Sequence, residues 1–199
     1  MTDKPDLNAL LGSRICHDLI SPIGAISNGV ELLMMDSGGH RPELALISDS
    51  VSHANARIRF FRMAFGAAGS TDQQTSRSDC VDTLTDLTRG SRLAFSWDSG
   101  TTVSRREAKI IFLIFMCLES ALPYGGQIDI DRGERRWTVR ATGDRRKIDA
   151  QLWEMLSNPA VRPDLAPSTV HFALLRDEVD RQHRRLTVEI RDDQIRLSF

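Results

Sequence analysis

Cysteine is scarce in this chain and badly placed for pairing: Cys16, Cys80 and Cys117 stand far apart, odd in number, with no CxxC among them. That spacing supports neither a disulfide framework nor a zinc site, and it fits a reduced, cytoplasmic setting. Net charge is also lacking. Lys plus Arg is 26 and Asp plus Glu is 27, for a formal charge of −1. Nothing in that balance favours nucleic acid or an anionic membrane as a partner. The Arg clusters (Arg105-Arg106, Arg135-Arg136, Arg145-Arg146, Arg184-Arg185) lie near acids and read as solvated faces. Aromatics are only 6% of residues, and Trp97, Trp137 and Trp153 read as core rather than as a stacking platform. The longest apolar run, Ile110 to Leu118, is bounded by Lys109 and Glu119. It falls well short of the roughly 20 residues a membrane span needs and reads as a buried helix. MTDKPDLNALLG has no basic start followed by an apolar stretch and does not read as a signal peptide. There is no G-x-x-x-x-G-K-[ST] loop, and no His or Cys pair has trustworthy metal-ligand spacing, so no cofactor and no metal are expected.

What is present falls into two parts. Residues 1–69 read as a helical hairpin and residues 70–199 as an α/β unit, joined through the small and polar stretch GAAGSTDQQTSRSD (66–79). The first helix is predicted over Leu7–Met35, with Leu11, Ile15, Leu19, Ile23, Ile26, Val30 and Leu33 in one stripe. SGGHRP (37–42) turns the chain. In the second helix Leu44, Ile47, Val51, Ala54, Ile58, Phe61 and Phe65 alternate three and four, a heptad seam. Leu10, Leu32, Leu46 and Phe60 add apolar surface beside the stripes, which points to a second copy completing a dimeric four-helix bundle. The rival is packing of that surface on the chain's own second unit. In that unit, helices are predicted over Ser78–Arg89, Ser104–Leu122, Lys147–Ser157 and Ser168–His183. Ser104 reads as an N-cap and Glu107 as its capping-box partner. Strands are predicted over Arg92–Asp98, Gln127–Asp131, Arg136–Thr142, Arg185–Ile190 and Gln194–Phe199. The fold class is α+β, with helices on one face of the sheet.

The candidate site is the segment Ser13-Arg14-Ile15-Cys16-His17-Asp18-Leu19-Ile20-Ser21-Pro22. At about 100° per residue His17 points about 160° away from Ile15 and Leu19, off the core stripe. Ser13, Arg14, Ser21, Gly24 and Asn28 share its face. A neutral imidazole nitrogen is a competent nucleophile toward phosphorus. Asp18 can orient the ring and hold its tautomer. Arg14, one turn earlier, can neutralise a phosphoryl group, and Ser21, one turn later, can hydrogen-bond to ring or phosphate. Pro22 in mid-helix removes a backbone hydrogen bond at a cost of about 3 kcal/mol, which points to a constraint beyond folding. The other histidines do not compete: His40 belongs to the turn, His53 flanks the bundle, and His171 and His183 flank the last helix.

His17-Asp18-Leu19-Ile20-Ser21-Pro22 resembles the H-box of sensor histidine kinases, H-[DE]-L-x-[ST]-P, and the hairpin around it looks like their dimerisation and phosphotransfer domain. The longer string GSRICHDLISPIGAISNGVELL (12–33) resembles more specifically the ChpT-type histidine phosphotransferases of alphaproteobacteria. The layout of the second unit is covered as well. In that family it resembles the ATP-binding domain of histidine kinases, the Bergerat fold, in a degenerate form. The nucleotide-site positions here are altered. The magnesium-holding Asn falls on Cys117 and the position one turn earlier on Leu113, neither of which offers the oxygen magnesium requires. The D-x-G-x-G stretch becomes Ala141-Thr142-Gly143-Asp144-Arg145, and the Gly-rich lid becomes DLAPSTVHF (164–172), without glycine.

The resemblance implies a phosphorelay enzyme without ATP binding. It implies that a receiver domain of an upstream hybrid histidine kinase passes a phosphoryl group to His17, with Arg14, Asp18 and Ser21 assisting. Downstream response regulators of the CtrA and CpdR kind would then take it. Ser13, Gly24 and Asn28 would belong to the docking surface of a cytoplasmic homodimer. The alternatives are an active histidine kinase with an atypical nucleotide site, or a non-catalytic module that binds and inhibits a kinase.

Overall fold

The structure is a computed structural model that describes residues 5–35, 41–67 and 73–199. Helix α1 spans Leu7–Met35 and α2 spans Arg41–Ala64. The expected turn residues Gly38, Gly39 and His40, and the middle of the expected linker (68–72), lie outside the described residues. α1 continues through Pro22. The two helices pack closely: a Cβ at Gly29 of α1 would stand 2.6 Å from Ile47 Cγ1 of α2, so only glycine permits that approach.

The heptad seam of α2 divides in two. Ile47 and Phe61 turn inward, whereas Leu44, Val51 and Ile58, each seven residues from the next, are exposed. On α1, Ile23 and Val30 are exposed at the same spacing. Phe60 is wholly buried, but not against a second copy. Its ring lies 5.1 Å from Phe112 and 6.2 Å from Phe115 of the chain's own second unit, so here the rival reading holds.

The first element of the second unit precedes the helix expected from Ser78. Gln74–Ser76, inside the expected linker, is strand β1, antiparallel to β3 (Thr102–Ser104). Between them run α3 (Arg77–Thr88), capped by the Ser76 hydroxyl accepting from Asp79 N at 3.0 Å, and β2 (Leu93–Asp98). Then come α4 (Arg105–Ala121), β4 (Gly126–Arg132), β5 (Trp137–Thr142), α5 (Ala150–Met155) and a 3-10 turn over Pro167–Thr169. α6 (Val170–Arg181), β6 (Thr187–Ile190) and β7 (Ile195–Ser198) complete the chain. The main sheet has order β2-β4-β5-β7-β6, with β2 and β4 parallel and the other pairs antiparallel. Period-2 alternation puts Ile128, Ile130, Val139, Ala141, Ile195 and Leu197 on the helix-covered face. Asp129, Asp131 and Arg140 occupy the other. The three tryptophans are buried, Trp97 against Trp137 and Trp153 against Phe172, so they serve the core.

α4 is apolar on nearly every side because it lies between the sheet and the other helices. Its N-terminus departs from expectation: Ser104 caps by position, but its side chain makes no capping hydrogen bond. Glu107 does not reach back to close a capping box. It accepts from Arg132 at 2.9 Å and from Arg184 at 3.0 Å. Two basic residues of α4 serve the end of the hairpin. Arg105 donates to the Met63 carbonyl at 2.9 Å and to that of Arg62, and Lys109 Nζ donates to the Gly66 carbonyl at 3.1 Å. They satisfy carbonyls of the last turn of α2, and of Gly66 just beyond it, that lack partners within that helix. The hairpin and the sheet unit therefore share one apolar core, and the His17 segment of α1 is carried against the second unit.

Candidate phosphoryl-transfer site

His17 stands on the outer side of α1 with its ring 86% exposed. Ile15 and Leu19, on the opposite side of the helix, pack against the core and fix which way the ring points. Asp18 Oδ1 lies 3.2 Å from His17 Nδ1. A carboxylate oxygen accepts, so in the neutral ring this contact favours the tautomer with the proton on Nδ1 and the lone pair on Nε2. Asp18 itself is held: Arg14 Nε donates to its other oxygen at 2.8 Å, and Arg14 Nη1 donates to the Ser168 carbonyl at 3.0 Å. The Arg14 guanidinium is therefore engaged between Asp18 and the 3-10 turn.

Beside His17 runs an open groove of about 520 Å³ between the hairpin and the end of α3. Asp18, Ser21 and Pro22 line it from α1, and His53 and Arg57 from α2. Arg89, Gly90 and Ser91 close the far side. Asp86 anchors that side by accepting from Arg59 at 2.6 Å and Arg89 at 2.7 Å. Arg57 has Nη2 3.6 Å from Glu119, and its Nη1 is buried with no hydrogen-bond partner among the described residues. The site thus joins an exposed imidazole whose Nε2 has no hydrogen-bond partner among the described residues, a carboxylate on its other nitrogen, and cationic side chains across an open groove. Among the described residues no cluster of His, Cys, Asp or Glu can hold a metal ion, and no helix is long and apolar enough to cross a membrane.

A family model for the histidine phosphotransferase C-terminal domain matches residues 77–194, more than half of the chain. The protein phosphotransferase ChpT of Brucella abortus is 34% identical over 160 residues, covering 78% of this chain and 76% of that protein. The chain belongs to the histidine phosphotransferase family. A solved bacterial phosphotransferase superposes with a TM-score of 0.82 at 29% identity, covering all of this chain and 97% of the other. The α+β architecture, with an N-terminal hairpin and a C-terminal mixed sheet, is the one expected of that family. This histidine phosphotransferase is a phosphotransfer enzyme with a phosphorelay role, in which receiver domains are its partners.

The expected site residues do not all meet in one place. His17, Asp18 and Ser21 share the groove. Ser13, Gly24 and Asn28 are exposed along the same helix and do not line it. Gly24 has open space where a Cβ would stand, so intramolecular packing does not require glycine there. Sequence reasoning passed over His53, Arg57 and Arg89. One signal was available: His53 and Arg57 are four residues apart and share a helix face. That this face meets His17 is a tertiary fact. It placed His171 at the last helix without foreseeing its burial: in the first turn of α6 it is 1% exposed and 4.9 Å from the Phe172 ring. Burial, with the nearby positive charge of Arg14, pushes its pKa down to about 3, so it is neutral.

Proposed function

We propose that His17 is the phosphoryl carrier of this enzyme, shuttling the group between receiver-domain aspartates. The carrying observation is the exposed ring whose Nδ1 is committed to Asp18 while Nε2 faces outward beside the groove. In the first step the Nε2 lone pair attacks the phosphorus of a receiver's aspartyl phosphate. An N–P bond forms, the P–O bond to the receiver breaks, and the aspartate leaves as carboxylate. The ring now bears a positive charge with Nδ1 still protonated, and Asp18 offsets that charge across 3.2 Å. In the second step a carboxylate oxygen of another receiver attacks phosphorus, the N–P bond breaks and the neutral imidazole returns. Arg57 and Arg89 supply positive charge on the groove side of the anionic group.

The same reading gives Ser21, Ser13, Gly24 and Asn28 to the surface on which the receiver docks. The upstream receiver belongs to a hybrid histidine kinase, and the downstream ones are response regulators of the CtrA and CpdR kind, in the cytoplasm. It divides the chain into a phosphotransfer hairpin, 1–69, and a degenerate ATPase-like unit, 70–199. Absence of ATP binding is supported by Cys117 and Leu113, which are wholly buried among apolar neighbours and offer no oxygen ligand. The exposed Ile23, Val30, Leu44, Val51 and Ile58 support a homodimer formed through the hairpin.

Reconstitution with a phosphorylated receiver and a second, unphosphorylated one tests this. Wild-type protein should pass label between them, and His17→Ala should stop it while both receivers still bind. Label that flows through His17→Ala would show the assignment to be wrong.

A further inference from the structure

Arg14 sits one turn before His17, where sequence gives its charge to the phosphoryl group. Its guanidinium is committed elsewhere. Nε donates to Asp18 Oδ2 at 2.8 Å, and Nη1 donates across to the Ser168 carbonyl of the second unit at 3.0 Å. The other Asp18 oxygen meets His17 Nδ1 at 3.2 Å. Four groups therefore form one continuous chain from the 3-10 turn to the imidazole. Its middle link is part-buried, with the Arg14 and Asp18 side chains 16% and 10% exposed, although the hydrogen bond to Ser168 is exposed and the ring at the other end lies in solvent. α6 and the turn before it supply the cover. His171 of α6 is buried close enough to feel both charges, and neither of its ring nitrogens has a hydrogen-bond partner among the described residues.

We propose that Arg14 is a positioning residue through which the second unit aims the His17 ring. The Ser168 carbonyl holds the guanidinium, the guanidinium holds the Asp18 carboxylate, and the carboxylate holds Nδ1 so that Nε2 points outward. The inference deepens, and rests on, the reading of His17 as the phosphoryl carrier. A guanidinium can perform this task because its N–H groups form a rigid fork that serves a carboxylate and a carbonyl together, whereas an ammonium is a point charge. Rotation about the bond to an imidazole is broad and shallow, so an exposed ring needs an external hold. In-line attack on phosphorus rewards that hold, because misalignment at the reacting atom is costly in rate.

The test measures the initial rate of transfer from a phosphorylated receiver to the full-length protein, at saturating receiver. Arg14→Gln should slow transfer by about 10- to 100-fold, since a misplacement of about 1 Å at a reacting group can cost about 100-fold. Arg14→Lys, which keeps charge but not the fork, should be similarly slow. Arg14→Gln should add no further loss on an Asp18→Asn background. Thr169→Val removes the hydroxyl that accepts from Ala166 N at 3.0 Å and closes the turn presenting Ser168. It should slow transfer only while Arg14 is present. Full rescue by lysine, or losses that multiply in the double variant, would overturn the proposal, since Arg14 would then act on the phosphoryl group directly.

A readout that needs no transfer is the tautomer of His17, from long-range 15N–1H NMR. It should be Nδ1–H in wild type and mixed in Arg14→Gln and Arg14→Lys; an unchanged tautomer overturns the proposal. Should Arg14→Gln fail to fold, the tautomer of Arg14→Lys decides. Mapping the phosphorylated residue separates the two readings. Label found away from His17 refutes the carrier assignment, while the tautomer still reports on Arg14.

Discussion

His171 shows how one residue's environment sets a measurable property of the whole protein. The imidazole is 1% exposed, and burial together with the charge of Arg14 holds its pKa near about 3. In the unfolded chain it titrates near its ordinary 6.5. The unfolded state therefore binds the extra proton first as pH falls, and folded stability drops between pH 6.5 and about 3. The drop is about 2 kcal/mol between pH 7 and pH 5. Urea titrations at those two pH values should show it in wild type and show it largely removed in His171→Met, which fills similar space without a titratable group. His17 itself was legible from sequence, since helix periodicity alone points it away from the core stripe. The partner of Arg14 was not. Helix geometry puts Asp18 one turn from Arg14 and within reach, but the Ser168 carbonyl is 154 residues away and enters only when α6 docks.

At the scale of elements, Arg105 joins the two halves. It is 8% exposed and takes carbonyls of Met63 and Arg62 at the end of α2. Removing a buried donor leaves these acceptors dry and unsatisfied. Arg105→Met should lower stability by about 2–3 kcal/mol in chemical denaturation, with the end of α2 the first region to lose amide-exchange protection. Pro22 works in the opposite direction. In a helix the amide of residue 22 would donate to the carbonyl of Asp18, and proline has no N–H to give. Pro22→Ala should raise the melting temperature, because it restores that bond inside a continuous α1. Element boundaries in the second unit were largely legible because apolar periodicity and turn residues are local. Two elements were not. β1 and β3 are three residues each, and short strands announce themselves only through the partner they find. The missing capping box has the same cause: Glu107 finds Arg132 and Arg184, 25 and 77 residues distant, in place of the local backbone.

The whole molecule leaves its hairpin half covered. The inward half of the α2 seam meets α1 and the sheet unit, while Leu44, Val51 and Ile58 stay exposed, as do Ile23 and Val30 of α1. Such a stripe suits an isologous contact between two copies, each burying the same residues. Sedimentation equilibrium should give a dimer for wild type and a monomer for the double variant Val51→Glu, Ile58→Glu, which places four carboxylates in one apolar seam. Wild-type monomer at micromolar concentration would dismiss the dimer. The variant should keep its far-UV circular dichroism, because both positions are solvent-facing within the single chain.

The sequence by itself determined what depends on neighbours along the chain: the helical hairpin, the exposed side of α1 that carries His17, and the carboxylate next to it. It also set Cys117 and Leu113, whose side chains carry no oxygen in any fold, at the positions where the resemblance puts the magnesium-holding residues. Only the tertiary structure decided where Phe60 is buried, what Arg14 holds, and that His53, Arg57 and Arg89 share the groove beside His17. Each of these depends on how α1 and α2 lie against the second unit. That docking is set by a shared core and by long-range polar links whose partners are tens of residues apart, and periodicity within one helix holds no information about them.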